Sequence, residues 1–164
     1  MAKILVVDDE QGMRELLEIM LLREGYQITT EADAARALNR CRKEAFDLII
    51  TDLKMPKMDG ISFLREAKQI SPSSMVILIT AYASAETALA AMKEGAYDYI
   101  EKEFKIDDLK RIIRNALAVK EGKQEDILFI KEMSQAVRFG EMIGKNSEML
   151  KIYHLSSSIL TVFK

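Results

Sequence analysis

The sequence contains very little cysteine, histidine or proline, and it contains no tryptophan. Its one cysteine, Cys41, and its one histidine, His154, exclude a disulfide framework, a Cys-x-x-Cys redox pair and a Cys/His zinc site. An excess of one charge is also missing, since 24 Lys and Arg stand against 26 Asp and Glu for a net charge of -2. This balance provides no bulk attraction for nucleic acid or for an anionic membrane.

Long hydrophobic runs and a targeting segment are absent as well. Charged residues interrupt every apolar segment before it reaches the roughly 18 residues of a membrane span. The N-terminus leads directly into a short apolar run, without the longer apolar region and cleavage site of a signal peptide. We therefore expect a cytoplasmic protein that binds neither a membrane nor nucleic acid. With 164 residues, 49% of them hydrophobic, the chain can form one ordinary globular domain with an appendage.

The hydrophobic residues that are present alternate between two periods. Short β-branched runs predict buried parallel strands, and 3.6-residue periods between them predict helices, the first of which stops at Gly25. The predicted strands are 3–7, 26–30, 46–51, 75–79 and 97–100, and the predicted helices are 13–21, 33–43, 60–69, 84–94 and 106–121. This alternation is typical of a doubly wound α/β domain with a parallel sheet between two layers of helices.

Polar residues follow these strands at their carboxyl ends, where such sheets bind their ligands. They are Asp8, Asp9 and Glu10 after the first strand, Thr51 and Asp52 at the end of the third, Thr80 and Ala81 after the fourth, and Glu101 and Lys102 after the fifth. Clustered aspartates repel one another unless a cation neutralises them, and Mg²⁺ prefers such oxygen ligands and joins carboxylates to phosphate. A carboxylate can also accept a phosphoryl group whose oxygens a lysine neutralises. The rim therefore predicts phosphoryl chemistry.

Four motifs, in chain order, resemble those of one known family. Residues 6–10 resemble its acidic pair after the first strand, and residues 52–60 resemble its Asp-x-x-Met-Pro-x-x-(Asp/Asn)-Gly segment. Thr80-Ala81 resembles its hydroxyl and small-residue pair, and residues 99–102 resemble its aromatic and lysine. Together they are similar to the receiver (CheY-like) domain of two-component response regulators, over residues 1–121. The resemblance implies a flavodoxin-like five-stranded parallel sheet of order 2-1-3-4-5.

The resemblance implies a phosphoacceptor and a metal site. Asp52 would accept a phosphoryl group from the phosphohistidine of a sensor histidine kinase. Asp9, Asp52 and the backbone carbonyl of Lys54 would bind Mg²⁺ directly, and Asp8 would hold a metal-bound water.

A second set of residues would respond to the phosphoryl group. Lys102 would pair with it, Thr80 would move towards it, and Tyr99 would turn inward behind it. Ala81 would belong to the same phosphoryl-binding and switch set. The face made by the fourth helix, the fifth strand and the fifth helix would then change. We expect this face, together with a linker helix, to form a homodimer, so that the chain acts as a signalling switch and not as an enzyme.

One position departs from the family pattern. The family lysine is normally followed by a proline in a cis peptide, whereas Glu103 follows Lys102 here. Because a cis bond before a non-proline residue costs roughly 3 to 4 kcal/mol, we expect this loop either to be trans, with Lys102 repositioned, or to be strained. An inward Glu103 would also repel a phosphoryl group. We expect weakened switching more readily than lost phosphorylation.

The sequence changes after residue 121. A charged stretch with a weak heptad pattern predicts a helical linker over 122–139. Residues 140–164 resemble the beginning of the AAA+ ATPase domain of sigma-54 activators, which suggests the nitrogen-regulatory class, truncated at the start of that domain. Residues 140–147 are not an ATP-binding loop, because Phe139 and Asn146 stand where that loop needs Gly and Ser or Thr. We expect sigma-54 RNA polymerase to be reached only through missing downstream domains.

Two alternative functions remain open. A phosphatase of the haloacid dehalogenase type also uses an aspartyl nucleophile, but it needs an Asp-x-Asp spacing that residues 8–12 lack. A phosphate-independent dimerisation module, in which the fold serves only as an interface, is kept open by Glu103.

Overall fold

The computed structural model describes residues 1–122, which form five strands that alternate with five helices. The strands are β1 (Lys3–Val7), β2 (Gln27–Glu31), β3 (Leu48–Asp52), β4 (Met75–Thr80) and β5 (Asp98–Glu101). The helices are α1 (Gln11–Arg23), α2 (Ala34–Lys43), α3 (Gly60–Ile70), α4 (Ala85–Lys93) and α5 (Ile106–Lys120). The predicted linker and AAA+ segment, beyond residue 122, lie outside the described residues.

The strands form one parallel sheet in the order β2-β1-β3-β4-β5, which confirms the predicted doubly wound fold. The strand order reverses beside β1, because the chain first adds β2 on one side of β1 and then crosses to β3 on the other. Ligands of such sheets bind at the carboxyl ends of the strands at this point. The residues that end β1 and β3 are therefore neighbours at one rim.

The core lies on both faces of the sheet. Alternate residues of β1 enter opposite faces, so that Leu5 packs with α2, α3 and α4 whereas Ile4 packs with α1 and α5. Every residue of β3 is buried, as expected for a central parallel strand covered on both sides. Fully packed strands therefore fix the positions of the residues at the rim.

Local sequence explains where most of the helices begin and end. The side chains of Asp33, Asp59 and Ser84 accept backbone N–H groups in the first turns of α2, α3 and α4. Helix α1 ends before Gly25, whose φ of 90° favours glycine. The structure differs from prediction mainly at strand ends: β3 begins at Leu48, opposite Ile4, and not at residue 46. None of the helices within residues 1–122 is long and apolar enough to cross a membrane.

Candidate functional site

Three aspartates meet at the rim because β1 and β3 are adjacent. Asp52 is the last residue of β3 and Asp8 follows β1, and both are buried, at 6% and 3% exposure. Asp9 is exposed. One carboxylate oxygen from each of the three lies within 4.8 Å of the other two. The structure thus brings together the three carboxylates that the sequence predicted.

Lys102 extends from the end of β5 across the rim to these aspartates. Its Nζ lies 3.1 Å from Asp8 Oδ2, 3.2 Å from Asp52 Oδ2 and 3.1 Å from Glu10 Oε2. Its backbone N–H donates to the Thr80 carbonyl oxygen at 2.8 Å. The ammonium therefore has three anionic partners.

The residue after Lys102 does not disturb this arrangement. Residues 1–122 contain no cis peptide bond, so the Lys102–Glu103 peptide is trans, and the side chain of Glu103 is exposed. Neither alternative expected from the missing proline holds in full: the loop is trans, but Lys102 is not repositioned and still lies at the carboxylates. The condition for direct repulsion, an inward Glu103, is not met.

The charges at the rim are unevenly compensated. Burial raises the pKa of Asp8 to about 6, and the charge of Asp52 contributes to the increase. The hydrogen bond from the Glu10 backbone N–H and the contact with Lys102 lower the pKa but do not cancel the effect of burial. Burial also disfavours the charged form of Lys102, but its contacts with Asp8, Glu10 and Asp52 outweigh this and raise its pKa above the ordinary range. The lysine stays protonated, and it is one cation among an excess of carboxylates.

The excess of carboxylates suits a hard divalent cation. The oxygens of Asp8, Asp9 and Asp52 are the ligands that Mg²⁺ prefers, and their separation is short enough for shared coordination. Asp9 and Asp52 border an open cavity of about 390 Å³, whose other lining residues are Glu10, Lys54, Ala81, Tyr82 and Lys102. The donor set therefore fits the predicted ion, with space beside it for a phosphoryl group.

Sequence interpretation missed a contact at the mouth of this cavity. The Lys54 Nζ lies 4.0 Å from the centroid of the Tyr82 ring, and both side chains are exposed. This cation–π contact joins the loops that follow β3 and β4. Lys54 was predicted to contribute only its backbone carbonyl, and nothing in the sequence singled out Tyr82.

The predicted switch residues lie behind the cavity. Thr80 is fully buried, and its Oγ1 accepts the backbone N–H of Tyr82 at 3.0 Å. Tyr99 is 2% exposed, and its hydroxyl lies 2.6 Å from Thr87 Oγ1 on α4. Tyr99 therefore faces inward. The partner of its hydroxyl, Thr87, was not predicted, since only the fold brings α4 over β5.

Gly60 fixes the position of the Asp52 backbone. Its N–H donates to the Leu53 carbonyl oxygen at 2.6 Å, and a Cβ at this position would overlap the Asp52 carbonyl oxygen. The first turn of α3 can approach the phosphoacceptor candidate this closely only without a side chain. The pair Asp59-Gly60, predicted as a turn into the helix, thus supplies both the helix cap and this close approach.

A doubly wound parallel sheet with clustered aspartates and a lysine at its switch point defines a class of α/β domains whose rim is suited to a divalent cation and an anionic ligand. Residues 4–114 match the family of the response regulator receiver domain. The chain therefore belongs to the response regulator receiver domain family, as the sequence motifs predicted.

The relatives include transcriptional regulators. The chain is 36% identical to the transcriptional regulatory protein ZraR of Escherichia coli (strain K12) over 97% of its own length and 34% of that protein. It is 33% identical to the regulatory protein AtoC of the same strain, over 92% of its own length and 32% of that protein. It is similar to the solution structure of the beryllofluoride-activated NtrC4 receiver domain dimer, with a TM-score of 0.70 and 36% identity, over 73% of this chain and 99% of that one.

These relatives agree with the nitrogen-regulatory class suggested by the sequence. The chain spans about a third of the length of the two curated relatives. Receiver domains interact with sensor kinases, and the NtrC4 relative shows that some of them dimerise.

Proposed function

We propose that this chain is a phospho-accepting signalling switch in which Asp52 receives a phosphoryl group from a sensor histidine kinase. The observation that carries the proposal is the position of Asp52. It is buried at the rim, with a lysine ammonium at 3.2 Å and two further carboxylates around it. A lone buried aspartate could serve as a helix cap or a turn residue, but such a role would not require this set of neighbours.

The residues would divide the chemistry between them. An Asp52 oxygen attacks the phosphorus of the phosphohistidine, the new O–P bond replaces the N–P bond, and the imidazole leaves with the electron pair. The Lys102 ammonium stands beside the incoming phosphoryl oxygens and offsets their charge. Asp8, Asp9, Asp52 and the Lys54 carbonyl would hold Mg²⁺, which when bound neutralises phosphoryl charge.

The output would be a shift between two existing conformations. Thr80, Ala81 and Tyr99 connect the cavity to the face formed by α4, β5 and α5. Phosphorylation would favour one arrangement of that face and change dimerisation there and along the linker. The receiver dimer among the solved relatives supports dimerisation as the output.

The wider setting follows from the relatives and from the C-terminal segment. We propose that the chain acts in the cytoplasm as the receiver of a sigma-54-dependent transcription activator, without enzymatic turnover of its own. The alignment with ZraR supports this, because it covers 97% of the chain and so continues past the described receiver residues.

Intact-mass spectrometry after incubation with Mg²⁺ and acetyl phosphate tests the proposal, with Asp52→Asn as the control. We expect one phosphoryl adduct in the wild-type chain and none in the variant. No adduct in a chain that binds Mg²⁺ would contradict phospho-acceptance and favour the phosphate-independent dimerisation module. An adduct that persists in Asp52→Asn would show that Asp52 is not the phosphoacceptor.

A further inference from the structure

Glu10 occupies a helix-capping position without capping the helix. It is the residue before α1, but its side chain makes no hydrogen bond to the first turn. Its Oε2 instead lies 3.1 Å from Lys102 Nζ, a contact between residues 92 positions apart. The Glu10 backbone is held in place, since its N–H donates to Asp8 Oδ1 at 2.9 Å and its carbonyl accepts from the Arg14 N–H at 3.2 Å.

The three carboxylates around Lys102 are not equivalent. Asp8 and Asp52 belong to the cluster whose oxygens lie within 4.8 Å of one another, and Glu10 does not. Asp8 and Asp52 are buried, whereas the Glu10 side chain is 61% exposed at the edge of the cavity. A divalent cation in the cluster would therefore compete with the ammonium for Asp8 and Asp52, and it would leave Glu10 available to Lys102.

We propose that Glu10 is a positioning residue that retains the Lys102 ammonium at the rim when a divalent cation occupies the aspartate cluster. This inference rests on the proposed function and adds to it a residue that none of the assigned roles includes. In the loop after Lys102, the next residue, Glu103, has an exposed side chain and is not among the partners of the ammonium. A contact from outside that loop, through Glu10, holds the ammonium instead.

The role of Glu10 has a thermodynamic consequence. In the free protein three carboxylates share the Lys102 ammonium. When a cation displaces it from Asp8 and Asp52, the ammonium turns wholly to Glu10, so the Glu10–Lys102 pairing becomes stronger on cation binding and offsets part of the interaction energy that is lost. Glu10 and the cation are therefore positively coupled through Lys102, and the coupling acts in both directions. Removing the Glu10 charge should weaken cation binding by more than its simple electrostatic attraction explains.

The test is a double-mutant cycle read by Mg²⁺ titration of backbone amide NMR shifts, without any phosphodonor. The four chains are wild type, Glu10→Gln, Lys102→Met and the double variant. Glu101→Gln is the matched control, since it removes an exposed charge adjacent to Lys102 in sequence. Through-space attraction of Mg²⁺ by Glu10 is the same in both backgrounds, so the difference between backgrounds measures the part that acts through Lys102.

We expect Glu10→Gln to raise the Kd for Mg²⁺ about threefold when Lys102 is present, in keeping with a partly exposed ion pair. The increase should be clearly smaller in the Lys102→Met background. A crystal structure with Mg²⁺ bound should show Lys102 Nζ in contact with Glu10 and separated from Asp8 and Asp52.

An equal effect of Glu10→Gln in the two backgrounds would overturn the inference and leave the proposed function standing. An effect no larger than that of Glu101→Gln would do the same. Absence of Mg²⁺ binding in the wild-type chain would instead contradict the metal site of the proposed function, and this inference with it.

Discussion

The two ends of the sheet each carry an ion cluster, and the two clusters are built in opposite ways. At the carboxyl end, three carboxylates share the ammonium of Lys102, and burial raises the pKa of Asp8 to about 6. At the amino end, one carboxylate has two donors: Asp47 accepts from Lys120 Nζ at 2.7 Å and from the Lys3 N–H at 2.8 Å. Burial opposes ionisation of Asp47, but these donors outweigh it and lower its pKa.

The carboxyl-end cluster therefore suits ligand binding, whereas the amino-end cluster serves to stabilise the fold. At the amino end the Asp47 carboxylate has two donors within the fold, so the cluster favours the folded state. At the carboxyl end burial disfavours the charge of Asp8, and the neighbouring charge of Asp52 adds to this, so the ionised rim destabilises the free protein and would favour a cation that binds there. On the proposed function, the domain gives up stability at the rim in exchange for cation affinity, a common relation between stability and function.

Neutralising one rim carboxylate should have the largest effect on stability. We expect Asp8→Asn to raise the free energy of unfolding of the metal-free protein by about 2 kcal/mol at pH 7, because the raised pKa of Asp8 records the cost of its charge. Urea denaturation in the presence of a chelator measures this. The same variant should bind Mg²⁺ more weakly, and a loss of stability without metal would refute the unequal charge balance.

Acidification should reveal the same difference within the wild-type protein. The folded-state pKa of Asp8, about 6, lies above its ordinary value, so the folded state binds a proton before the unfolded chain does. The stabilisation that comes from protonating Asp8 in the folded state is present at low pH and is lost as the pH rises through about 6. We expect the metal-free protein to gain about 1 kcal/mol between pH 7 and pH 5.

The opposite sign applies to Asp47. Because the folded-state pKa of Asp47 is lowered, its ionised carboxylate stabilises the fold above the ordinary pKa of about 4. This stabilisation is lost as the pH falls below that value. The gain on acidification should therefore disappear in Asp8→Asn and remain in Asp47→Asn. Denaturation curves at a series of pH values, all with a chelator, distinguish these cases; a gain that persists in Asp8→Asn would assign it to another group.

Removing the charge of Asp47 should change the free energy of unfolding by less than Asp8→Asn does, and in the opposite direction. We expect Asp47→Asn to lower the free energy of unfolding by about 1 kcal/mol at pH 7, since both side chains of the ion pair with Lys120 are partly exposed. Lys120→Met is the matched variant, and it should lose a similar amount. If Asp47→Asn were instead as stabilising as Asp8→Asn, the two clusters would not differ in kind.

Backbone strain beside the rim should have the smallest effect. Lys57 has a φ of 71°, in the left-handed region, and its side chain is exposed. Lys57→Gly should stabilise the protein by about 0.5 kcal/mol, the relief of strain being partly offset by the flexibility of glycine in the unfolded chain. Lys57→Ala loses the same charge but retains Cβ, and it should show no gain. Equal effects of the two substitutions would exclude strain at this position.

The sequence predicted the parts of the site that depend on strand ends. β-branched runs placed Asp8 and Asp52 at the carboxyl ends of parallel strands, and the strand order 2-1-3-4-5 implied by the family resemblance then made them neighbours. Helix starts were predictable for a similar local reason, since Asp59 caps the helix that immediately follows it.

Contacts that cross the fold were beyond prediction. The pairing of Lys120 with Asp47 joins residues 73 positions apart, and the pairing of Glu10 with Lys102 depends on side chains that reach past β3 and β4. The inward position of Tyr99 and its Thr87 partner depend on how α4 packs over β5. The effect of Glu103 could not be predicted either, because local preference leaves open whether Lys102 still reaches the aspartates.

Asp47 anchors the last turn of α5 on the side of the sheet away from the phosphoacceptor. The helix has 15 residues, which at 1.5 Å per residue gives a rod about 22 Å long. One end of this rod begins beside the rim, after Lys102, and the other is tied down where the chain leaves the described domain. Helix α5 can therefore pivot as a rigid body about its anchored C-terminal end. A small displacement at the rim would therefore reach residue 122 as a change of angle, with almost no change of position.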